Sequence, residues 1–446
     1  MVLMFLQRGL IICLLLFLPW TFSSVDQWAI DLAVAQVILI FLITLTQERD
    51  HWRNWFKDWF FYLVIAGFAL LIVPYVFLGA SVNPPLISKV PSKISEVAWL
   101  PSSINNVLAL RKIYFWGSCA LLCWSVSRSF RTEKAKKLLL WVLFTSALGT
   151  LLVGILQRMT NTFKILWIRK IEFAMEYPIF FGPFFNRNHF ADYMNMMIPL
   201  AFPLARSVIR SRDGDGNDLR LFIGICVATF AFGIIYVKSR GAFAVMVLEL
   251  LTIVAFSKSV RSGINWKVLV GFGIFIVVTA ALGGQGIIDR VATNLTSTDH
   301  DNWTRDNRFF IWPNTWEIIK ASPAWGWGPG CFAPAFIFML PKDYHFVRED
   351  HAHNDILHTL VEVGFIGTTF FIVVLSVLFV RLIRVYRKMN DPFHRSLVRS
   401  VLIIFGGTML TAQFSFPFQL ATPLLTLSAL VGLALSSKPL KKYSVD

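Results

Sequence analysis

The chain has 446 residues, 56% hydrophobic and 15% charged, where about a quarter charged is usual for a soluble protein. That composition excludes a soluble enzyme, a disordered chain and a secreted disulfide scaffold, and at about 20 apolar residues per span it provides for at most about twelve membrane helices. The 42 Lys and Arg against 26 Asp and Glu leave a net charge of +16, which in a membrane protein records the loops that stay in the cytoplasm and not a nucleic-acid partner.

Apolar runs between charge clusters predict twelve spans, near 8–24, 27–46, 59–80, 110–127, 138–157, 189–209, 219–237, 241–257, 266–284, 356–380, 400–416 and 418–437. The first reads as an anchored helix, because no small-residue cleavage site follows it before Asp26. The expected architecture is an all-α polytopic membrane protein. It divides into an N-terminal transmembrane bundle (1–157), a region with one large outer loop at 285–355 (158–384) and a C-terminal transmembrane hairpin (385–446).

Alternate loops differ in basic content. One set, which includes both termini, holds 25 Lys and Arg and nine acids; everything else holds 17 of each. The whole excess of +16 therefore belongs to one face. By the positive-inside rule that face and both termini are cytoplasmic, and the basic residues there meet anionic lipid. The long loops 158–188 and 285–355 then face outward, away from ATP and nucleotide sugars. Four cysteines (Cys13, Cys119, Cys123, Cys226) lie in apolar runs and only Cys331 in a polar loop, so no disulfide framework is expected. The acidic string Arg212–Asp218 lacks the distal Glu of a calcium loop and reads as a solvated turn.

Three outward stretches concentrate polar residues: Phe185–Ala191, Lys238–Gly241, and the large loop with Arg305–Arg308, Gly326–Gly330 and Glu349–Asp355. Arg187, Arg240 and Arg308 all fall at outer helix ends or in the outer loop. A single arginine there snorkels to headgroups. Three beside histidines suit a phosphate or diphosphate, because guanidinium forks match phosphate oxygens and helix starts add N–H donors.

With a span beginning near Asn354, His351 and His353 lie at the membrane surface, where an imidazole is the natural general base. His358 and Glu362, four residues apart on one helical face, are expected to pair. Zinc is the competing reading of His351-x-His353 among Glu349, Asp350 and Asp355. Against it stand the missing third histidine and the missing His-Glu-x-x-His pattern, so no metal and no cofactor is expected. Polarity of a helix start is the remaining alternative. Trp312, Trp316 and Ile319 recur at helical spacing and read as the packed face of a loop helix, while Trp303, Trp325 and Trp327 suit an aromatic belt.

Taken together, these residues resemble the O-antigen ligase and polymerase superfamily of bacterial membrane glycosyltransferases. The resemblance rests on His353-Asn354 followed after nine residues by Gly364-Phe-Ile-Gly367, on Arg308–Trp312, on the Gly-x-Gly turn after Pro323, on Ser239-Arg240-Gly241 and on Asn186-Arg187-Asn188. It spans residues 180–375 and the layout of twelve spans with one large periplasmic loop between spans 9 and 10.

The resemblance implies a GT-C-like fold and an undecaprenyl-diphosphate-linked glycan donor. The acceptor is a sugar hydroxyl, on lipid A core or another glycan, and transfer is inverting, with neither metal nor nucleotide. On that reading His353 is the base, Arg187, Arg240 and Arg308 hold the diphosphate, and His351 and Asn354 orient the base or meet the acceptor. The protein is then a multi-pass protein of the bacterial inner membrane with its site facing the periplasm. A polymerase of the same superfamily shares the donor chemistry. A transporter is the alternative from another class, but its functional charges would cluster at the bilayer midplane. Here only Asp31 and Glu249 look deep.

Overall fold

The computed structural model describes residues 2–49, 62, 66–69, 103–170, 180–208, 216–256, 308–339 and 349–437. In chain order these form α1 (Val2–Trp20), α2 (Gln27–Gln47), α3 (Asn106–Ser129), α4 (Glu133–Met159), α5 (Arg187–Met197), α6 (Ala201–Val208), α7 (Gly216–Tyr236), α8 (Arg240–Phe256), α9 (Arg308–Ala321), α10 (Phe332–Met339), α11 (Asp355–Lys388), α12 (Pro392–Thr411) and α13 (Ala421–Leu435). The only sheet among the described residues is a two-stranded hairpin pairing Lys164–Ile165 with Arg169–Lys170. Helices α1, α2, α3, α4 and α11 are long and apolar enough to cross a membrane, so the all-α membrane class holds. The expected spans 266–284 and, apart from a few residues, 59–80 lie outside the described residues, as do Arg212–Asp215 of the acidic turn, Trp303 and Arg305.

Helix starts are set by side-chain caps. Asn105, Thr132, Asn186, Asn354 and Asp391 each accept a backbone N–H from the first turn that follows, the usual way to satisfy donors that have no intrahelical partner. One apolar core joins α1, α3, α4, α5, α7, α12 and α13. Within it α13 is buried along almost its whole length.

Several boundaries differ from expectation. The first helix ends at Trp20, not residue 24, because Phe22, Ser23 and Ser24 turn with positive φ. The expected span 189–209 is two helices, α5 and α6, separated at Ile198–Leu200. Pro199 there has no N–H to donate and its ring crowds the preceding turn; its carbonyl accepts from Ser400 Oγ at 2.6 Å. The expected spans 400–416 and 418–437 are α12 and α13, and between them residues 412–420 form a turn-rich loop.

Polar contacts at the helix ends fall into two sets. At one end Arg8 donates to the Ser129 carbonyl, Arg128 and Arg131 meet Glu48, and Lys136 donates to Ser437 Oγ. We call this the basic end. At the opposite end Arg169 meets Asp26, Ser415 meets Asp192, and Gln419 meets Asp355.

Helix α11 is broken at Gly364, where φ is 63° and ψ −169°. The break frees backbone groups on both sides, and the segment between α9 and α10 takes them up. Trp327 N donates to the Val361 carbonyl (2.8 Å) and Gly328 N to that of Glu362 (2.9 Å), while Phe365 N and Ile366 N donate to the carbonyls of Pro323 (2.8 Å) and Ala324 (3.2 Å). Gly364, the first of the glycine pair after His353-Asn354, is therefore the socket into which the Gly326–Gly330 turn docks. A Cβ at residue 364 would collide with the backbone of Ala324 and Trp325, and the conformation itself is nearly glycine-only. Gly364→Ala is expected to destabilise the protein by roughly 2 kcal/mol or more, read as a lower melting temperature and faster proteolysis of the 322–330 segment.

Candidate active site

The loop 412–420 is the organising element at the end opposite the basic one. Its sequence, Ala412-Gln-Phe-Ser-Phe-Pro-Phe-Gln-Leu420, places polar residues between phenylalanines and a proline, so it can neither continue a helix nor dissolve in lipid. It is tied to the start of α11 by four hydrogen bonds. Asp355 N donates to the Ala412 carbonyl (2.8 Å) and Asn354 Nδ2 to that of Gln413 (3.3 Å). Phe418 N and Gln419 Nε2 donate to the two carboxylate oxygens of Asp355, each at 2.9 Å. Lys112, from α3, donates to Gln419 Oε1.

Phe416, 5% exposed, is the centre of this loop. His351 stacks on its ring at 4.0 Å between centroids, while His189 and His353 approach it edge-on at 5.0 and 5.1 Å. The histidines come from α5 and from the segment preceding α11, and the phenylalanine holds them in one group. His353 has φ 51°, a left-handed conformation that costs an L residue on the order of 1 kcal/mol. Its Nε2 lies 4.0 Å from Glu349 Oε2.

The backbone between His351 and His353 is pinned from two directions. Ala352 N donates to His358 Nδ1 at 3.4 Å, and Trp312 Nε1 donates to the Ala352 carbonyl at 3.0 Å. His358 is in turn held by Glu362 Oε1, 3.0 Å from its Nε2, which realises the expected pair. Because Nδ1 accepts, the proton of a neutral His358 sits on Nε2 and points at Glu362.

Arg308, the first residue of α9, donates through Nη2 to the Phe414 carbonyl at 2.6 Å. Arg240 is the first residue of α8, and a Cβ added at the next residue, Gly241, would lie 3.8 Å from Phe414 Cβ, which places the start of α8 beside Phe414. Arg187 is the first residue of α5, the helix that carries His189 to Phe416 and Asp192 to Ser415 Oγ at 3.1 Å. All three arginines thus begin helices whose starts lie beside the 412–420 loop. Asn354 is occupied as the cap of α11, its Oδ1 accepting from Ile356 N (3.0 Å) and Leu357 N (3.1 Å).

Burial pushes the His351 imidazole well below its ordinary range, helped by the nearby His358, Lys112, His189 and His353, so it is neutral near pH 7. Its Nδ1 is buried without a hydrogen-bond partner among the described residues, as is that of His189. The linkage follows from these facts. Below the unfolded value near 6.5 the unfolded chain binds a proton that the folded chain refuses, so stability falls as pH drops from 6.5 and is flat above it. His351→Phe, which keeps the stack on Phe416, is expected to reduce that acid slope by at most about 1.4 kcal/mol per pH unit, measured as melting temperature between pH 5 and 8.

Among the described residues no three His, Cys, Asp or Glu side chains converge as a metal-holding group. Cys331 is buried, its thiol raised to about 11 by that burial, and lies 3.6 Å from Ser103 Oγ. The packed face of α9 is offset from expectation. Ile311, Thr315, Ile318 and Ile319 are buried, whereas Trp316 is 45% exposed. The 412–420 loop thus gathers the histidines and the three arginine-bearing helix starts, while His189, Phe416, Lys112 and the loop itself were not singled out individually in the sequence.

Residues 225–372 match the family model described as O-antigen ligase. The matched segment holds Arg240, Arg308, His351, His353, Asn354 and the Gly364 break, and it supports assignment of the chain to the O-antigen ligase superfamily. It ends before the 412–420 loop and begins after Arg187 and His189. No curated protein matches the chain.

Proposed function

We propose that the chain is a glycosyltransferase of the bacterial inner membrane that moves a glycan from an undecaprenyl-diphosphate carrier to a hydroxyl of an acceptor glycan such as lipid A core. Both termini are cytoplasmic in this reading and the site faces the periplasm. The observation that carries it is the convergence of three histidines and three arginine-bearing helix starts on one loop at the end of the bundle opposite the basic one. Bases and cations so gathered suit a hydroxyl attacking a carbon whose leaving group is a diphosphate.

His353 takes the proton of the acceptor hydroxyl as its oxygen attacks the anomeric carbon with inversion. The carbon–oxygen bond to the carrier breaks, and Arg187, Arg240 and Arg308 stabilise the charge that builds on the diphosphate. His351, kept neutral, and Asn354, which holds the start of α11, set the position of His353 and the acceptor. No step needs a metal.

The test is an assay of the purified protein in lipid nanodiscs with an undecaprenyl-diphosphate-linked oligosaccharide. Two acceptors are offered separately, lipid A core and a second lipid-linked unit, each with and without excess EDTA. Transfer to lipid A core that survives chelation supports the reading. Extension of the second lipid-linked unit alone would make the protein a polymerase, and transfer that EDTA abolishes would remove the metal-free mechanism.

A further inference from the structure

At the basic end three arginines gather with no counterion among the described residues. Arg206 lies in the last turn of α6, and Arg395 and Arg399 are four residues apart on one face of α12. Helices α6 and α12 are packed together, and both Arg206 and Arg395 act electrostatically on Arg399. Aromatic rings back two of the three. The Arg399 guanidinium lies 5.6 Å from the centroid of Phe202 and that of Arg395 5.1 Å from Tyr386.

Among the described residues no carboxylate forms an ion pair with any of the three. The acid nearest in sequence to Arg395 and Arg399, Asp391, is already committed: its Oδ1 accepts from His394 N at 2.8 Å and meets the His394 ring at 2.7 Å. The N-terminal end of α12 adds further positive potential. Arg399 sits about 12 Å along the helix from Asp391, so its head is held beside Phe202 below the end of the bundle, where a headgroup phosphate would lie.

Like charges this close repel one another unless an anion sits among them. Guanidinium groups converging from two helices offer donors in several directions, which suits a ligand with several acceptor oxygens on one atom. Basic pockets between membrane helices take phosphate-bearing headgroups for this reason.

We propose that Arg206, Arg395 and Arg399 form a phosphate-binding site at the basic end of the bundle, filled by the headgroup of an anionic phospholipid or by free phosphate. The site is separate from the histidine cluster and does not depend on the function proposed above.

The experiment uses the full-length chain in detergent, with lipid retention followed by native mass spectrometry and stability by melting temperature. The probes are phosphatidylglycerol, phosphatidylcholine and inorganic phosphate. Phosphatidylglycerol is expected to bind and raise the melting temperature, and phosphatidylcholine is not. At about fivefold per arginine, Arg395→Gln should weaken phosphatidylglycerol roughly fivefold and the triple glutamine variant on the order of a hundredfold, whereas Arg220→Gln on α7 should change nothing.

Stabilisation by inorganic phosphate equal to that by the lipid, lost in the same variants, would assign the site to free phosphate. Unchanged phosphatidylglycerol binding in Arg395→Gln and in the triple variant would overturn the proposal, as would a wild-type protein that binds both lipids alike. Arg395 is exposed, so its single variant reads the site even if the triple variant fails to fold.

Discussion

His353→Ala is expected to lower glycan transfer by about a hundredfold to ten-thousandfold, the usual contribution of a positioned general base, in a protein that inserts and melts like the wild type. Alanine alone would leave an ambiguity, because His353 holds a positive φ of 51° that alanine adopts less readily. His353→Asn resolves it, since asparagine tolerates that conformation better than other side chains yet cannot serve as a base near pH 7. Both variants should lose activity alike, in kcat more than in KM. An asparagine variant with activity within a fewfold of wild type would show that His353 shapes the loop and accepts no proton, and the role of base would pass to a neighbour such as His351.

Much of this site was legible as residue types in order. Membrane class, the approximate start of α11, the His358–Glu362 pair and the glycines follow from hydropathy, capping and helical spacing, all of which are local. What was hidden depends on contacts between distant segments. The loop 412–420 carries three phenylalanines, Phe414, Phe416 and Phe418, between apolar runs, so its hydropathy blends into the spans on either side. Gln413, Ser415, Pro417 and Gln419 are the signal that a helix does not continue there. Phe416 looks like any core aromatic until the three histidines from two other segments are seen against it.

The same limit explains Asn354 and Gly364. Read as sequence they are motif letters beside a candidate base. In the fold Asn354 caps α11 and ties it to Gln413, and Gly364 breaks that helix so that the Gly326–Gly330 turn can pair with it. Lys112 shows the converse. It reads as a stray charge near the start of an apolar span, and only the contact with Gln419 reveals that it supports the loop from below.

Arg308→Glu is expected to abolish transfer, and the neutral Arg308→Gln to lower it by about a hundredfold to a thousandfold, as when a donor to a developing anion is removed. The Nη2 bond to the Phe414 carbonyl, 2.6 Å long, allows another role, in which Arg308 merely anchors the loop. The two roles separate on the uncharged variant. Glutamine keeps N–H donors for the Phe414 carbonyl but loses the charge, so an anchoring role predicts near-normal rates in Arg308→Gln and a diphosphate role does not. Arg308→Lys keeps the charge and loses the fork, and should fall between, at roughly a tenfold loss if charge carries most of the effect. Near-normal transfer in Arg308→Gln would remove Arg308 from the diphosphate site and leave Arg187 and Arg240 to hold the leaving group. A larger loss in the Glu than in the Gln variant, with melting temperatures unchanged, would place the effect in the charge, because a loosened loop would lower stability as well.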